Sequence, residues 1–502
     1  MPKTPNHDEA IPRVIRPLGD NEGYQSALHQ LRMYCSNIVT CRYVIPDTVS
    51  SLSSELEVLF EGAIAKAVLS HPALQVGLVG EASKKPVWVE LHTINLRRHV
   101  EWHDADLSGD YGALYGKVLQ AQLDTRFPNL DTQPGWRVAI LKHRSERCMD
   151  VMFTWNHANA DGMSGRIFHE DLLHNLNSTH SHDQSPAVED YQFETTATAE
   201  TFPPPQEEVA KFPITLKYTA VMMWKEFMPL KAHQARAHAT WAPIRTLPYR
   251  THLHTISIGN DILQLVLSAC RKHGTTLTGL VHALTVVSLA HRLPEKDAAA
   301  FTGLTPISTR PFLPCSPEGY PWLVPNRTVA NYVSQTSHEF NASLVASVRR
   351  AARSWPDWGS DLMDLIWSTA AQVRREIKQE LDSGMEDIIV GLMRLVRDWR
   401  AHQKQQVKKP RTAGWLVTNL GVIDGGHELT DAAGHEMDWR IDRAEFQLSA
   451  EVPGAFFHIC PVAVKGRELT IDISWQDGIV DASLGERLAS DIQSIVTHVA
   501  SL

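Results

Sequence analysis

The run Thr154-Trp155-Asn156-His157-Ala158-Asn159-Ala160-Asp161-Gly162-Met163-Ser164-Gly165 holds a histidine and an aspartate four positions apart. An imidazole titrates close to neutral pH, so His157 is suited to take a proton from a reacting hydroxyl or amine. Its neighbours Ala158, Ala160 and Gly162 are small, which leaves room for a second molecule. Asp161 can cap a helix or hold a partner charge. On residue types alone, a histidine closing a strand and an aspartate capping a helix satisfy the same pattern. Other chemical signals are weaker. His169-Glu170-x-x-x-His174 is not a zinc motif, because histidines five apart lie about 140° around a helix and cannot share one metal. No GxSxG string is present, and the cysteines at 35, 41, 148, 270, 315 and 460 form no CxxC pair. A nucleophilic serine or cysteine, a metal and a disulfide framework therefore all lack a signature.

The elements that must carry this run are legible on both sides of it. Met149, Val151, Phe153 and Trp155 alternate with other residues at a strand's period of two. Phe168, Leu172 and Leu176, with Ile167 and Leu173 beside them, make a helical stripe. His157 thus falls where a strand runs out and before a helix begins. In that setting His157-x-x-x-Asp161-Gly162 resembles the HxxxDG signature of the coenzyme-A-dependent acyltransferase superfamily. That group includes chloramphenicol acetyltransferase, the plant BAHD enzymes and peptide-synthetase condensation domains. The longer run Ala160-Asp161-Gly162-Met163-Ser164-Gly165, followed by Phe168-His169, is most similar to the fungal alcohol acetyltransferases. Asn156 stands where condensation domains carry a first histidine, and the BAHD DFGWG string is absent.

The resemblance implies a fold and a set of roles. The fold is α/β (α+β): two chloramphenicol-acetyltransferase-like lobes, each a mixed sheet flanked by helices, with the active site in a tunnel between them. It implies direct attack of an acceptor on acetyl-CoA, with His157 as general base and no acyl-enzyme. Asp161 becomes structural, pairing with an arginine of the other lobe. Arg310, in Ile307-Ser308-Thr309-Arg310-Pro311, is the candidate partner, although an ordinary loop arginine reads the same way. Thr418-Asn419-Leu420-Gly421 is similar to the family's (S/T)N-x-G strand, which makes Thr418 and Asn419 the oxyanion donors.

The rest of the chain is read in order. Residues 1–20 form a loose arm. Leu31–Ile45 is a strand, and a helix over Ser53–Ser70 stops at His71-Pro72. Gln75–Val79 and Pro86–Leu91 form a hairpin, Tyr111–Leu123 a helix, and Trp136–Lys142 a strand antiparallel to the one delivering His157. From Ser178 to Pro213 the signals Ser181–Pro186 and Phe202-Pro203-Pro204-Pro205 mark a crossover. It divides an N-terminal lobe, residues 1–205, from a C-terminal lobe, residues 206–502. Phe212–Met228 is an amphipathic helix packed on the body. Arg250–Ile258 is a strand, and helices follow over 260–274 and Thr278–Leu293. Strand Phe301–Pro306 and an Asn331-Tyr332-Val333 strand come next. Ala342–Arg353, Asp361–Glu380 and Met385–Gln403 are helical. Strands Trp415–Gly421, Glu445–Ala450, Ala455–Val464 and Glu468–Trp475 follow, with a turn at Lys465-Gly466-Arg467, before a closing helix over Ser483–Val499. Lys404, Lys408, Lys409 and Arg411 read as a solvated helix end or as contacts for coenzyme A phosphates. Met222, Met223, Trp224, Trp355, Trp358 and Trp367 read as core, or as the lining of an apolar acceptor pocket.

Composition narrows the classes. With 502 residues the prior is two lobes, and a hydrophobic content of 43% against 21% charged is that of a soluble globular chain. A net charge of −9 argues against a nucleic-acid partner. No apolar run reaches transmembrane length, and the polar start Met1-Pro2-Lys3-Thr4-Pro5 is not a signal peptide. The expectation is a cytoplasmic, monomeric enzyme with no bound cofactor or metal. It O-acetylates an alcohol of secondary metabolism with acetyl-CoA as co-substrate. The alternatives are acetylation of an amine, a cyclase or isomerase of the pericyclase kind reusing the cleft without coenzyme A, and a binding protein without catalysis.

Overall fold

A computed structural model describes residues 12–49, 54–104, 110–143, 146–178, 190–227, 237–354, 358–426 and 438–502. Two mixed sheets organise it. The first has the order Arg440–Leu448 (β15), Asn37–Val44 (β2), Cys148–Trp155 (β8), Trp136–Lys142 (β7) and Val100–Asp104 (β6). β6 and β7 are parallel and the other pairs antiparallel. The second has the order Thr251–Ile258 (β10), Leu469–Gln476 (β17), Phe457–Val464 (β16), Trp415–Val417 (β13), Phe301–Ser308 (β11) and Val333–Phe340 (β12). Gly421–Ile423 (β14) also pairs with β16, and β13 runs parallel to both its neighbours. Smaller sheets join Val14–Pro17 (β1), Val87–Glu90 (β4) and Val76–Val79 (β3), and Thr93–Asn95 (β5) with Gln192–Glu194 (β9).

All eight residues of β8 are buried, because both faces of its sheet are covered. Met149, Val151, Phe153 and Trp155 pack into one core with the helices Ser54–Leu69 and Gly162–Ser178. Met152 joins a separate cluster with Val118, Leu119 and Leu123 of the helix Tyr111–Asp124. Asp150 tolerates burial because Arg42 and the Tyr111 hydroxyl reach it at 3.0 and 2.5 Å.

The second sheet shows how the two halves meet. Trp415, Val417, Phe457, Ile459, Ile471 and Ile473 pack into its own core. The intervening Leu416, with Cys460, Val462 and Val464, belongs to the core of the first sheet. Alternation along β13 and β16 therefore turns one face of the second sheet toward the first. The edge strand β15 comes from the second half of the chain yet pairs with β2. Its free side is stitched by β17. Thr470 Oγ1 donates to the Ala444 carbonyl at 2.6 Å, the Phe446 N–H donates to Asp472 at 3.0 Å, and Ser474 Oγ donates to the Leu448 carbonyl at 2.7 Å.

Several expectations need correction. The arm includes β1, held antiparallel on β4, and a helix at Asp20–Gln30 follows it directly. The strand expected from Leu31 starts at Asn37, since Arg32 adopts a left-handed φ of 57°. β6 was not anticipated. The helix expected over Met385–Gln403 is two short ones, Ile389–Met393 and Trp399–Gln406, preceded by left-handed Met385 and Asp387. The strand expected over Trp415–Gly421 stops at Val417. There the Asn419 side chain accepts the Gly421 N–H at 2.9 Å and Gly421 turns left-handed at φ 83°. Arg411 is no part of a solvated helix end: it is buried and donates to the Ala242 and Gly454 carbonyls. Met223 and Trp224, on the helix Leu216–Phe227, are exposed rather than core. Trp367 stacks on His273 with ring centroids 4.2 Å apart. Residues 1–11, Ser181–Pro186 and Trp355 lie outside the described residues. Among the described residues no helix is long and apolar enough to cross a membrane.

Candidate active site

The turn after β8 is fixed before any ligand arrives. The Asn156 N–H donates to the Gly135 carbonyl at 2.8 Å, and the Asn156 side chain accepts the Ala158 N–H at 3.0 Å. The Ala160 carbonyl then receives two donors, the Trp155 indole and His157 Nδ1, both at 2.9 Å. A carbonyl only accepts, so Nδ1 carries the proton and Nε2 presents the ring's lone pair. His157 keeps partial access to solvent although protein surrounds it closely. Burial holds its pKa below the ordinary imidazole value, while the bond to Ala160 and the charge of Asp161 oppose that shift. The ring is therefore neutral near pH 7.

Asp161 makes its bonds to residues other than His157. It forms a buried ion pair with Arg310 Nη1 and accepts the Tyr332 N–H at 3.0 Å. Its other oxygen takes the Ser164 N–H at 3.0 Å and the Ser164 hydroxyl lies 2.9 Å away. Burial alone would raise its carboxyl pKa, but the Arg310 charge and these donors outweigh burial and hold it below the usual range. Arg310 opens a short turn after β11 and is equally enclosed. Nε donates to the Pro325 carbonyl at 3.0 Å, and Nη2 donates to the Thr328 and Ala330 carbonyls at 3.1 Å each. The pair thus locks the start of the helix Gly162–Ser178 to the 325–332 segment of the second half.

A second clasp holds the histidine itself. Asn331 Nδ2 donates to the His157 carbonyl at 2.7 Å, and Asn21 Nδ2 donates to Asn331 Oδ1 at 2.8 Å. The sequence marks Asn331 only as a strand residue, and Asn21 falls in the stretch 21–30 to which it assigns no element and where the structure has a helix. Tyr34 packs on the His157 ring with centroids 5.9 Å apart. No periodic pattern could have announced it.

Two glycines permit the close packing here. A Cβ on Gly162 would lie 2.9 Å from the Phe446 ring and 3.5 Å from Leu420. A Cβ on Gly165 would lie 2.5 Å from the Trp155 ring and 2.8 Å from Val39. Leu420 brings the 418–420 segment against the start of the helix. Thr418 is half-buried, its N–H bonded to the Ile459 carbonyl at 2.9 Å, and it follows the alternation that turns Leu416 toward the first sheet. Asn419 is exposed, and its amide is engaged by Thr278 at 3.2 Å and by Gly421. Of the two, Thr418 is the less exposed. His169 and His174 part as the helix geometry demands: His169 is buried between Tyr43 and the Val39 carbonyl, and His174 is exposed.

Residues 100–474 match the family model for alcohol acetyltransferase. A probable alcohol acetyltransferase, FCK4, of Fusarium pseudograminearum is 29% identical over 96% of this chain and 94% of its own length. A probable alcohol acetyltransferase, crmB, of Aspergillus fumigatus is 24% identical over 94% of this chain and 97% of its own. Among solved structures, the TRI3 trichothecene 15-O-acetyltransferase of Fusarium sporotrichioides superposes with a TM-score of 0.69 at 14% identity, covering 97% and 94% of the two chains. The first condensation domain of the calcium-dependent antibiotic synthetase superposes at 0.58 and 12% identity, covering 97% of each chain. The last two likenesses speak for the two-lobed fold. A neutral histidine at a strand end, a buried Asp–Arg lock and a family match over most of the length converge: the chain belongs to the alcohol acetyltransferase family and is an acyltransferase.

Proposed function

We propose that the protein transfers the acetyl group of acetyl-CoA to a hydroxyl of a small oxygenated metabolite, with His157 as general base. The observation that carries this reading is the Nδ1 contact with Ala160, which leaves Nε2 as the proton-accepting nitrogen. Nε2 takes the proton of the acceptor hydroxyl as its oxygen attacks the thioester carbonyl. The tetrahedral oxyanion is stabilised by the Thr418 hydroxyl. On collapse the C–S bond breaks, and the imidazolium returns its proton to the departing coenzyme A thiolate, so the ring starts the next cycle neutral. Asp161 takes no proton in this scheme. It holds the turn through Arg310, and Asn331 holds the histidine backbone.

The test pairs catalysis with donor binding. The wild type should form acetylated product from acetyl-CoA with members of a panel of alcohols. Coenzyme A should raise its melting temperature by mass action. His157→Ala should lower turnover by about 10²–10⁴, the usual contribution of a positioned base, and keep the coenzyme A stabilisation. Thr418→Ala should lose less. Retained turnover in His157→Ala would remove the base assignment. Acetylation of amines in place of alcohols would move the acceptor class.

A further inference from the structure

His458 on β16 is 1% exposed, and neither of its ring nitrogens has a hydrogen-bond partner among the described residues. Buried imidazoles are ordinarily paired, so an imidazole orphaned at both nitrogens calls for a missing partner. Its carboxylate neighbour Glu451 stands 4.0 Å from Nε2, beyond hydrogen-bond reach, and the Ser449 backbone is the one nearby group that favours the charged ring. Burial and the nearby Arg411 charge push its pKa down to about 3, so the ring is neutral and offers one N–H and one lone pair.

Its direction is set by the strand. Phe457 and Ile459 point into the core of the second sheet, so His458 points the other way, with Cys460, toward the first. There it meets Tyr34 edge-on at 6.2 Å, and the same Tyr34 ring packs on His157 at 5.9 Å. Tyr34 donates its hydroxyl to Asn37 Oδ1 at 2.5 Å, leaving Asn37 Nδ2 buried with no partner among the described residues. Arg411 Nη2 is orphaned in the same way. Tyr34 thus links the buried Asn37 amide to His458, and the Arg411 charge lies near enough to His458 to act on its pKa.

We propose that His458, with Asn37 and Arg411, forms a specificity subsite that hydrogen-bonds a second oxygen function of the acceptor, a hydroxyl or carbonyl beyond the hydroxyl that His157 deprotonates. The inference deepens the proposed function and rests on it. A simple monohydric alcohol would leave the subsite's polar atoms unpaired and be disfavoured for that reason.

The experiment compares wild type, His458→Leu and His458→Gln with matched acceptors, each a monohydric alcohol beside its analogue bearing a second hydroxyl or carbonyl. KM and kcat are measured for acceptor and for acetyl-CoA separately. Wild type is expected to prefer the doubly oxygenated partner at least about 10-fold in kcat/KM. His458→Leu should erase that preference by raising the acceptor KM, with kcat and the acetyl-CoA KM held within about twofold, and His458→Gln should restore part of it. The melting temperature of His458→Leu should hold or rise, since two unpaired polar atoms leave the interior. Equal turnover of matched acceptors by the wild type would overturn the subsite. A rise confined to the acetyl-CoA KM would place the missing partner on the coenzyme instead and overturn it too, as would unchanged kinetics in His458→Leu. If the wild type acetylates no alcohol at all, the proposed function falls and the subsite with it. Transfer without preference removes the subsite alone.

Discussion

At the scale of the residue, the site rests on one neutral ring and one buried charge pair. Because burial lowers the His157 pKa, the base form persists below the ordinary value of 6.5. Rate should therefore be full at neutral pH and fall only as acid protonates Nε2. The acidic limb of kcat/KM should have its midpoint below 6.5, and a midpoint above that value would contradict the desolvated setting. The Asp161–Arg310 pair is subject to a different test. Removing one partner strands a charge in the interior, so Arg310→Ala should destabilise the protein by about 3–5 kcal/mol. Asp161→Asn should cost a similar amount, since it strands the Arg310 guanidinium and turns an NH2 toward groups that donate to the carboxylate. Both should reduce activity by loosening the turn that holds His157. A double-mutant cycle should show strong non-additivity in denaturant midpoint and in kcat/KM, and simple additivity would mean the two act separately.

At the scale of the element, the strand–turn–helix unit works because its packing leaves no room for side chains at two positions. Gly165 lets the helix lie against Trp155 and Val39, and Gly162 admits Phe446 of the exchanged strand β15. Gly165→Ala should cost about 1–3 kcal/mol through overpacking, although alanine favours helices. Chemical denaturation measures this directly. Gly116 is a control, because a Cβ there meets nothing within 4 Å. Gly116→Ala should be neutral or stabilising by about 1 kcal/mol within its helix. If both substitutions behave alike, close packing at Trp155 is not what Gly165 provides.

At the scale of the whole molecule, the two halves share a strand, and the bonds across that junction include a buried acid. Burial, with the Glu445 charge beside it, raises the Asp472 carboxyl well above its ordinary value. An acid whose folded pKa is raised stabilises fully below the unfolded value of 3.8 and loses that contribution as pH climbs through the folded one. The Thr255 hydroxyl donates to one Asp472 oxygen at 2.6 Å and the Phe446 N–H to the other at 3.0 Å; on protonation the first bond can reverse while the second stays, an arrangement an asparagine reproduces. Asp472→Asn should match wild type near pH 5 and exceed it in melting temperature as pH rises. A wild-type advantage that grows with pH would show that the ionised carboxylate is the form the junction requires.

The sequence by itself determined the local pieces. Alternation before His157 and a four-residue stripe after it placed the histidine at a strand end. The extended run through Gly165 indicated the family that the match over residues 100–474 shows. Such signals are short-range: periodicity reports which side of an element is apolar, and a turn reports its own residues. Only the tertiary structure decided what lies opposite. Asn331 and Asn21 hold the His157 backbone from 174 and 310 positions apart along the chain, respectively to His157 and to one another. β15 completes the first sheet from the second half of the chain, and Arg411 and His458 turn inward where composition suggested surface and plain strand. The physical reason is common to all of them. A polar side chain becomes buried when distant segments supply its partners, or when a ligand is to supply them, and no pattern within one segment records where those partners come from.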